Sequence, residues 1–280
     1  MKIGDFTIGA GRTFVIAEAG VNHAGRMDLA HRLIETAHVV GADAVKFQTF
    51  RSEELGCTAD IAACELPASA WPELASHARE RGIIFFSTPF DCESVDLLDP
   101  LVPCFKIASG EITNYRLLEA VARRGKPIIL STGMAEIEEI GRAKQVISWF
   151  FPQPEIIALH CVSAYPAPPE DMNLRAMYAL NPYGHAPVGL SDHSYGTAIP
   201  VAAVALGAVV IEKHLTLDPT LPGPDQRMST IPETFAEMVR EIRTVEKALG
   251  DGVKRVMPSE EKLLRVARRD PQTGKRPCVA

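Results

Sequence analysis

Eight times along this 280-residue chain, a short and nearly continuous apolar run gives way to a stretch with helical periodicity. The strand-like runs lie at 14–19, 44–48, 83–87, 104–107, 127–131, 156–160, 187–191 and 209–213. The helical patterns between them span about 27–40, 68–81, 92–98, 115–124, 135–150, 174–180, 198–206 and 232–249. Strands that are apolar on both faces belong to a parallel sheet covered on both sides. Eight of them, each followed by a helix, predict an α/β fold closed as a single (β/α)8 TIM barrel. The last helical pattern carries Phe235, Met238, Val239, Ile242, Val245 and Leu249 on one stripe, the signature of a helix with one core-facing side. A short N-terminal hairpin is expected over residues 2–12. The barrel is expected to occupy residues 1–269, with a short helix in "PSEEKLLRVARR" and a fraying tail at 270–280.

Composition narrows the function classes. With 46% hydrophobic and 23% charged residues the chain can bury a large core. Its 29 basic and 35 acidic residues leave a charge of −6 without a block of one sign, which argues against nucleic acid or an anionic membrane as partner. The longest apolar run, 198–211, is broken by Pro200 and Gly207 and falls short of the roughly 18–20 residues that cross a bilayer. The opening "MKIGDFTIGAG" lacks a signal-peptide core, so a cytoplasmic location is expected. Cys57, Cys64, Cys92, Cys104, Cys161 and Cys278 form no CxxC pair and read as free thiols.

In such a barrel chemistry sits at the C-terminal strand ends, and here all eight ends are polar: Glu18 with Asn22 and His23; Lys46 with Gln48; Ser87 with Thr88; Lys106 with Ser109 and Glu111; Ser131 with Thr132; His160 with Ser163; Ser191 with His193; Glu212 with His214. The last two strands and the helix between them form one strand–helix–strand unit. Parallel pairing therefore brings His193 and His214 side by side. Two neighbouring imidazoles suit a divalent metal with open positions, as a catalytic centre requires. His160 is a weaker ligand and a candidate for filling the barrel. His31, His38 and His77 fall on helices, and His185 precedes a strand at the opposite end.

Lys46 and Lys106 are cations in otherwise apolar strands. Lysine is almost never buried unpaired. With the hydroxyls of Ser109, Ser131 and Ser191 they make what a phosphate or carboxylate anion needs, the bland alternative being ion pairing or snorkelling. Glu18, Glu111 and Glu212 are available as acids or bases. Asp225 in "PGPDQ" reads equally as a substrate-hydroxyl contact or a plain turn residue. Cys161 has no evident partner base and reads as packing.

The ordered segments "FVIAEAGVNHAG", "ADAVKFQTF", "IIFFSTPFD", "FKIASGEITN", "GKPIILSTGM", "LHCVSAYPAP", "VGLSDHSYG", "EKHLTLD" and "GPD" closely resemble the sialic acid synthase family, which includes legionaminic and pseudaminic acid synthases and spore-coat polysaccharide proteins. The resemblance covers roughly residues 14–269. It implies an enzyme that condenses phosphoenolpyruvate with an N-acetylhexosamine in its aldehyde form, N-acetylmannosamine-like by default, giving a 2-keto acid and phosphate. It also implies a divalent ion, most often Mn2+, with Mg2+ or Co2+ as alternatives, and a homodimer. Carried onto this sequence, it makes His193 and His214 the metal ligands. Lys46, Thr88, Lys106, Ser109, Ser131 and Ser191 fall in the phosphoenolpyruvate pocket. Glu111 handles the attacking water, and Glu18, Gln48, Tyr165 and Asp225 lie near the acceptor or the reacting centre. Ser163 stands where some members carry asparagine.

Two departures concern the acceptor. Residues 50–82 make a short connection after the second strand, without the family's tyrosine–glutamate stretch. The family's C-terminal antifreeze-like domain, which supplies an acceptor-binding arginine, is not expected in this chain. Alternatives are a synthase for phosphorylated aldoses, a metal-dependent aldolase, and a non-catalytic barrel that binds a sugar or a partner.

Overall fold

An antiparallel hairpin, β1 (Lys2–Ile3) and β2 (Phe6–Thr7), precedes eight parallel strands. These are β3 (Phe14–Gly20), β4 (Ala44–Thr49), β5 (Ile84–Pro89), β6 (Phe105–Ile107), β7 (Ile128–Ser131), β8 (Ile156–Cys161), β9 (Val188–Asp192) and β10 (Val210–His214). The computed structural model describes residues 1–181 and 186–276; His185 and Cys278 lie outside the described residues. Hydrogen-bonded order runs β5-β4-β3-β10-β9-β8-β7-β6, and β5 lies against β6 to bring the ring round, so the eight strands form the (β/α)8 barrel expected from the alternation. The chain divides into two compact units, Met1–Glu246 and Lys247–Ala280.

Around the barrel run α1 (Met27–Val39), α2 (Ser52–Leu55), α3 (Ala59–Ala62), α4 (Ala70–Arg81), α5 (Cys92–Leu98), α6 (Tyr115–Ala122), α7 (Ile137–Phe150), α8 (Met177–Leu180), α9 (Ala198–Ala205) and α10 (Pro232–Leu249). Most start where the sequence expects them. Asp91 accepts the Ser94 backbone N–H at 2.7 Å and opens α5, while Asn114 accepts that of Leu117 at 3.2 Å and opens α6. The helix expected over 174–180 is split into a 3-10 turn, Leu174–Ala176, which the chain enters from Asn173 in the left-handed region at φ 38°, and the short α8. α2 and α3 were not expected. They fold the 50–82 connection down onto Val21, Phe50, Cys64 and Phe90, a small apolar cluster at the barrel mouth.

The main core is continuous from strands to helices, with Phe14, Phe47, Phe86, Phe105 and Phe235 completely buried. Each such side chain contributes roughly 1.5–3 kcal/mol. Register decides what faces inward, since paired residues of parallel strands share a face and neighbours along a strand alternate. His214 pairs with Glu18, Glu18 with Lys46, Gln48 with Thr88, Glu212 with Ser191, and Ser191 with Cys161. Those residues make one inward polar tier. The intervening positions face the helices. There Lys213 and Asp192 form a buried ion pair at 2.5 Å, and the same ammonium donates to the Ser194 carbonyl at 2.6 Å. At the opposite end Asp43 accepts from the Val15 N–H at 2.9 Å and from Arg243 at 2.7 Å, tying α10 to the start of β3.

In the second unit, α11 (Glu261–Ala267) follows a turn in which the Met257 N–H donates to Glu260 at 2.8 Å. After it the Asp270 carboxylate accepts the N–H groups of Gln272 and Thr273 at 3.0 and 2.7 Å. Among the described residues no helix is long and apolar enough to cross a membrane.

Candidate active site

The C-terminal strand ends surround a cavity of about 340 Å3. β3 contributes Glu18, β4 contributes Lys46 and Gln48, and β5 contributes Thr88. Lys106 of β6 and Ser109 on the turn behind it join Ser131 of β7; Cys161, Ser163 and Tyr165 follow along β8 and its loop. Ser191 and His193 arrive from β9, Glu212 and His214 from β10.

Both lysines are buried among these groups. Lys46 Nζ stands 2.7 Å from Glu18 Oε2, 2.9 Å from Thr88 Oγ1 and 3.8 Å from Glu212 Oε2. Lys106 Nζ is 3.6 Å from Glu212 Oε1 and donates to the Ile107 carbonyl at 3.2 Å. Ser191 donates to Glu212 Oε1 at 3.1 Å, and Gln48 donates to Glu18 Oε1 at 3.2 Å. Burial pushes the Glu18 carboxyl up to about 7, although Lys46 pulls the other way. Burial also opposes the charge of Glu212, but Lys106 and Lys46 prevail and hold it below the ordinary carboxylate range. For the ammonium groups the balance differs: burial lowers Lys106 despite Glu212, whereas Glu18 and Glu212 overcome burial and raise Lys46. Among the described residues, Glu212 Oε2, Ser131 Oγ and His214 Nδ1 are buried without a hydrogen-bond partner, and Glu18 Oε2 has only its ion pair with Lys46. Buried polar groups are ordinarily satisfied, so three orphans in one cavity mark places for a ligand.

Two glycines let side chains converge. A Cβ on Gly133 would overlap Ser163 Oγ and stand 2.9 Å from Ser109 Oγ, while the Gly133 N–H donates to that same Ser109 oxygen at 3.0 Å. Gly20, at φ +51°, lies under Glu18, Gln48 and Asp225; a Cβ there would come 3.3 Å from Glu18 Oε1 and 3.4 Å from Asp225 Oδ2. Ser109 and Ser163 therefore meet at Gly133, and Glu18, Gln48 and Asp225 meet at Gly20.

The two histidines meet with ring centroids 5.5 Å apart, and the Tyr165 ring lies 4.2 Å from that of His193. His193 Nδ1 is 2.8 Å from the Val162 carbonyl, which fixes the proton there and leaves Nε2 with its lone pair. Burial opposes the charge of His193, but Cys161, whose Sγ is 3.8 Å from Nδ1, and the Val162 carbonyl raise it above the ordinary histidine range; burial, reinforced by His193 and the lysines, holds His214 well below that range, so His214 is a neutral donor. Its orphaned Nδ1 is 3.7 Å from Asp225 Oδ2. This donor set fits a divalent ion held by two imidazoles with remaining positions open. It does not make a closed cage: among the described residues no group of three His, Cys, Asp or Glu gathers on one ion.

Of the sequence candidates, Glu18, Lys46, Gln48, Thr88, Lys106, Ser109, Ser131, Ser163, Tyr165, Ser191, His193 and His214 all line the cavity. Asp225 reaches its edge beside His214. Glu111 does not line it; the turn after β6 leaves it half-buried, accepting from Asn114 at 2.7 Å. His160 does not fill the barrel, since its register partner Leu190 faces the helices and its ring bonds the Met172 carbonyl at 2.6 Å. Asn22 is occupied with Leu215 and Ser229, and His23 lies against Phe47. Cys161, Phe90 and Met134 also line the cavity. Cys161 and Phe90 continue the inward alternation through Leu159 and Thr88, a signal present in the sequence. Met134 reaches the rim through a left-handed backbone, φ 63°, which no sequence pattern announces.

The NeuB family model matches residues 33–254. An uncharacterised protein of Methanocaldococcus jannaschii is 48% identical over 96% of this chain and 82% of its own length. The N,N'-diacetyllegionaminic acid synthase of Campylobacter jejuni is 44% identical over 92% of this chain and 84% of its own. Among solved structures, the N-acetylneuraminic acid (sialic acid) synthetase of Leptospira borgpetersenii superposes with a TM-score of 0.87 at 39% identity, covering 94% of each chain.

Proposed function

This chain belongs to the NeuB family and is a sialic-acid-synthase-type enzyme that uses phosphoenolpyruvate; from that premise we propose that its acceptor is an unphosphorylated, N-acetylmannosamine-like aldose and that the reaction depends on a divalent ion, Mn2+ first among the alternatives. The observation that carries the reading is one cavity with two polarities. Lys46, Lys106 and the hydroxyls of Ser109, Ser131 and Ser191 supply donors, while Glu18 and Gln48, beside Lys46, line the same cavity with acceptors and an amide, and Asp225 stands at its edge near Gly20 and His214.

The ammonium and hydroxyl groups suit the phosphate and carboxylate of phosphoenolpyruvate, because charge-assisted donors bind such oxygens most strongly. The carboxylates and the amide suit sugar hydroxyls. A phosphorylated acceptor would need a further cationic cluster. The nearest candidate, Arg51, is engaged by Glu53, Glu54 and Glu93, which argues for the neutral sugar.

In the proposed reaction carbon 3 of phosphoenolpyruvate bonds to the acceptor's aldehyde carbon, whose oxygen gains a proton. Water then adds at carbon 2 and loses a proton, the bond between carbon 2 and the bridging phosphate oxygen breaks to release inorganic phosphate, and loss of the second proton from the new hydroxyl leaves the 2-keto acid. Glu18, with its carboxyl at about 7, holds a proton for part of the time at neutral pH and is the candidate donor to the aldehyde oxygen. Lys46, Lys106 and Ser131 Oγ stabilise charge on the phosphoenolpyruvate oxygens as it shifts. His193 and His214 would hold the divalent ion, which when bound supplies Lewis-acid polarisation of the aldehyde. The proposal extends to a cytoplasmic homodimer, testable by sedimentation of the purified chain.

The deciding experiment is phosphate release from phosphoenolpyruvate, with Mn2+ or with chelator, across N-acetylmannosamine, its diacetamido relatives and phosphorylated aldoses. Release that requires both the ion and a neutral sugar is expected. Release with phosphorylated aldoses alone would overturn the acceptor, and release undiminished by chelator would overturn the metal.

A further inference from the structure

Among the described residues Glu212 is the one carboxylate that both cavity lysines approach within 4 Å. Lys46 stands 3.8 Å from its Oε2 and Lys106 3.6 Å from its Oε1. Neither distance is a hydrogen bond, since N–H···O contacts close at about 2.7–3.2 Å. Among the described residues Oε2 has no hydrogen-bond partner, and the only hydrogen bond made to the carboxylate comes from Ser191. Its side chain is nevertheless 6% exposed, and 3% of each lysine is exposed. Two buried ammonium groups thus share a carboxylate that neither one grips, and all three line the cavity.

We infer that Glu212 is a resident counter-ion: it neutralises Lys106 and, together with the closer Glu18, balances Lys46 while the anion site is free of substrate, and it weakens anion binding there by competing for the same two cations. The inference rests on the cavity being the phosphoenolpyruvate site. An uncompensated buried charge is costly, so a pocket built for an anion needs a stand-in when that anion has left. A stand-in hydrogen-bonded to both lysines would block the site, whereas one held at 3.6–3.8 Å leaves available the donors on Lys106 and the proton of Lys46 not directed at Glu18 or Thr88. Lys106 uses only the Ile107 carbonyl among described partners and keeps donors for a ligand. The positioning role has a sign that a scaffold role lacks. If Glu212 merely holds the lysines in place, removing its charge weakens anion binding; if it competes, removing its charge strengthens it.

The test compares the wild-type chain with E212Q and E212D by calorimetric titration with inorganic phosphate and with phosphoenolpyruvate, and by steady-state kinetics. Glutamine keeps the shape and the Ser191 hydrogen bond, and aspartate keeps the charge. Expected is a tenfold or greater tightening of both anions in E212Q, a matching fall in KM for phosphoenolpyruvate, and a lower kcat with stronger phosphate inhibition as product leaves slowly. E212D should stay within a few-fold of wild type in affinity. Unchanged or weaker anion binding in a folded E212Q overturns the counter-ion role and leaves the synthase reading standing. A wild-type chain that binds neither anion overturns both.

Discussion

Strand β10 places two charged residues side by side in sequence and sends them to opposite faces, and the two ion-pair sites they join are built differently. Outside the barrel, Lys213 closes on Asp192 at 2.5 Å and on the Ser194 carbonyl at 2.6 Å, and the second Asp192 oxygen accepts from the Ser194 N–H and hydroxyl at 3.0 and 2.7 Å. No atom of that set is left over among the buried orphans. Inside, Glu212 meets Lys46 and Lys106 at longer range and keeps an orphaned oxygen, with Ser131 Oγ orphaned nearby in the same cavity. Both sites are buried, so solvent does not explain the difference. A closed network fastens β9 to β10, while an open one holds charge ready for a partner that comes and goes.

The largest expected effect tests the closed site. Lys213→Met leaves Asp192 buried and unpaired, which costs about 3–5 kcal/mol. Denaturant unfolding should show that loss, the double variant with Asp192→Asn should recover much of it, and phosphate release per folded molecule should persist. A Lys213→Met protein as stable as wild type would break the comparison. At the open site the pattern should invert. Lys106→Met should lower kcat/KM for phosphoenolpyruvate by about 10²–10³, the scale of one preorganised donor to developing charge. Its unfolding midpoint should move much less than that of Lys213→Met, because Glu212 keeps Lys46 and the Ser191 hydroxyl. Equal losses of stability in the two lysine variants would mean that both pairs are scaffolding.

A third buried group sharpens the contrast from the neutral side. His23 is 1% exposed and has no charged partner, and burial holds its imidazole down at about 4. The folded pKa lies below the ordinary 6.5, so the unfolded chain binds the proton first. Its contribution to stability is therefore full above pH 6.5, falls as the pH drops towards 4, and levels off below it. The loss from this one group is about 3 kcal/mol at about 1.4 kcal/mol per unit. Glu18, raised to about 7, contributes a slope of the opposite sign over the same range, so the readout is the difference between wild type and His23→Gln, which should change by this amount between pH 7 and 4. A difference that stays constant across that range would rule out a buried neutral imidazole.

The barrel was legible because its cause is periodic. Continuous apolar runs that alternate with one-sided helices leave few ways to cover both faces of the strands, and the strands begin and end within about two residues of where the pattern puts them. The pocket lysines were legible for a related reason: Lys46 and Lys106 interrupt runs that must be buried, so they announce a partner. Which partner was not legible. Glu212 is visible as a strand-end acid, but its place between two lysines follows from the register of β10 against β9 and from the meeting of side chains from β4 and β6 across the barrel. His160 and Cys161 show the limit at single-residue scale. The imidazole draws attention, yet the pairing of Cys161 with Ser191 turns the thiol inward and sends His160 to Met172. Glu111 was visible as a strand-end acid and took its water-handling role from the resemblance; the turn on which it sits engages Asn114, and Glu111 does not line the cavity.

The smallest expected effect concerns the backbone that frames the open site. Met134 is 74% exposed at the cavity rim and takes φ 63°, a region that costs a side-chain-bearing residue about 1 kcal/mol or more. It follows Gly133, whose N–H is already committed to Ser109, so the left-handed turn helps aim the Ser109–Gly133–Ser163 corner into the cavity. Because the side chain buries little, Met134→Gly removes the strain and loses little contact, and the folded state should gain up to about 1 kcal/mol, offset in part by the greater freedom of glycine in the unfolded chain. Met134→Val should lose stability, since a β-branched residue tolerates positive φ worst. If the turn serves the anion side of the cavity, KM for phosphoenolpyruvate should rise in Met134→Val and stay near wild type in Met134→Gly. An unchanged KM in both would assign the strain to the connection into α7 alone and confine the open site to the strand ends.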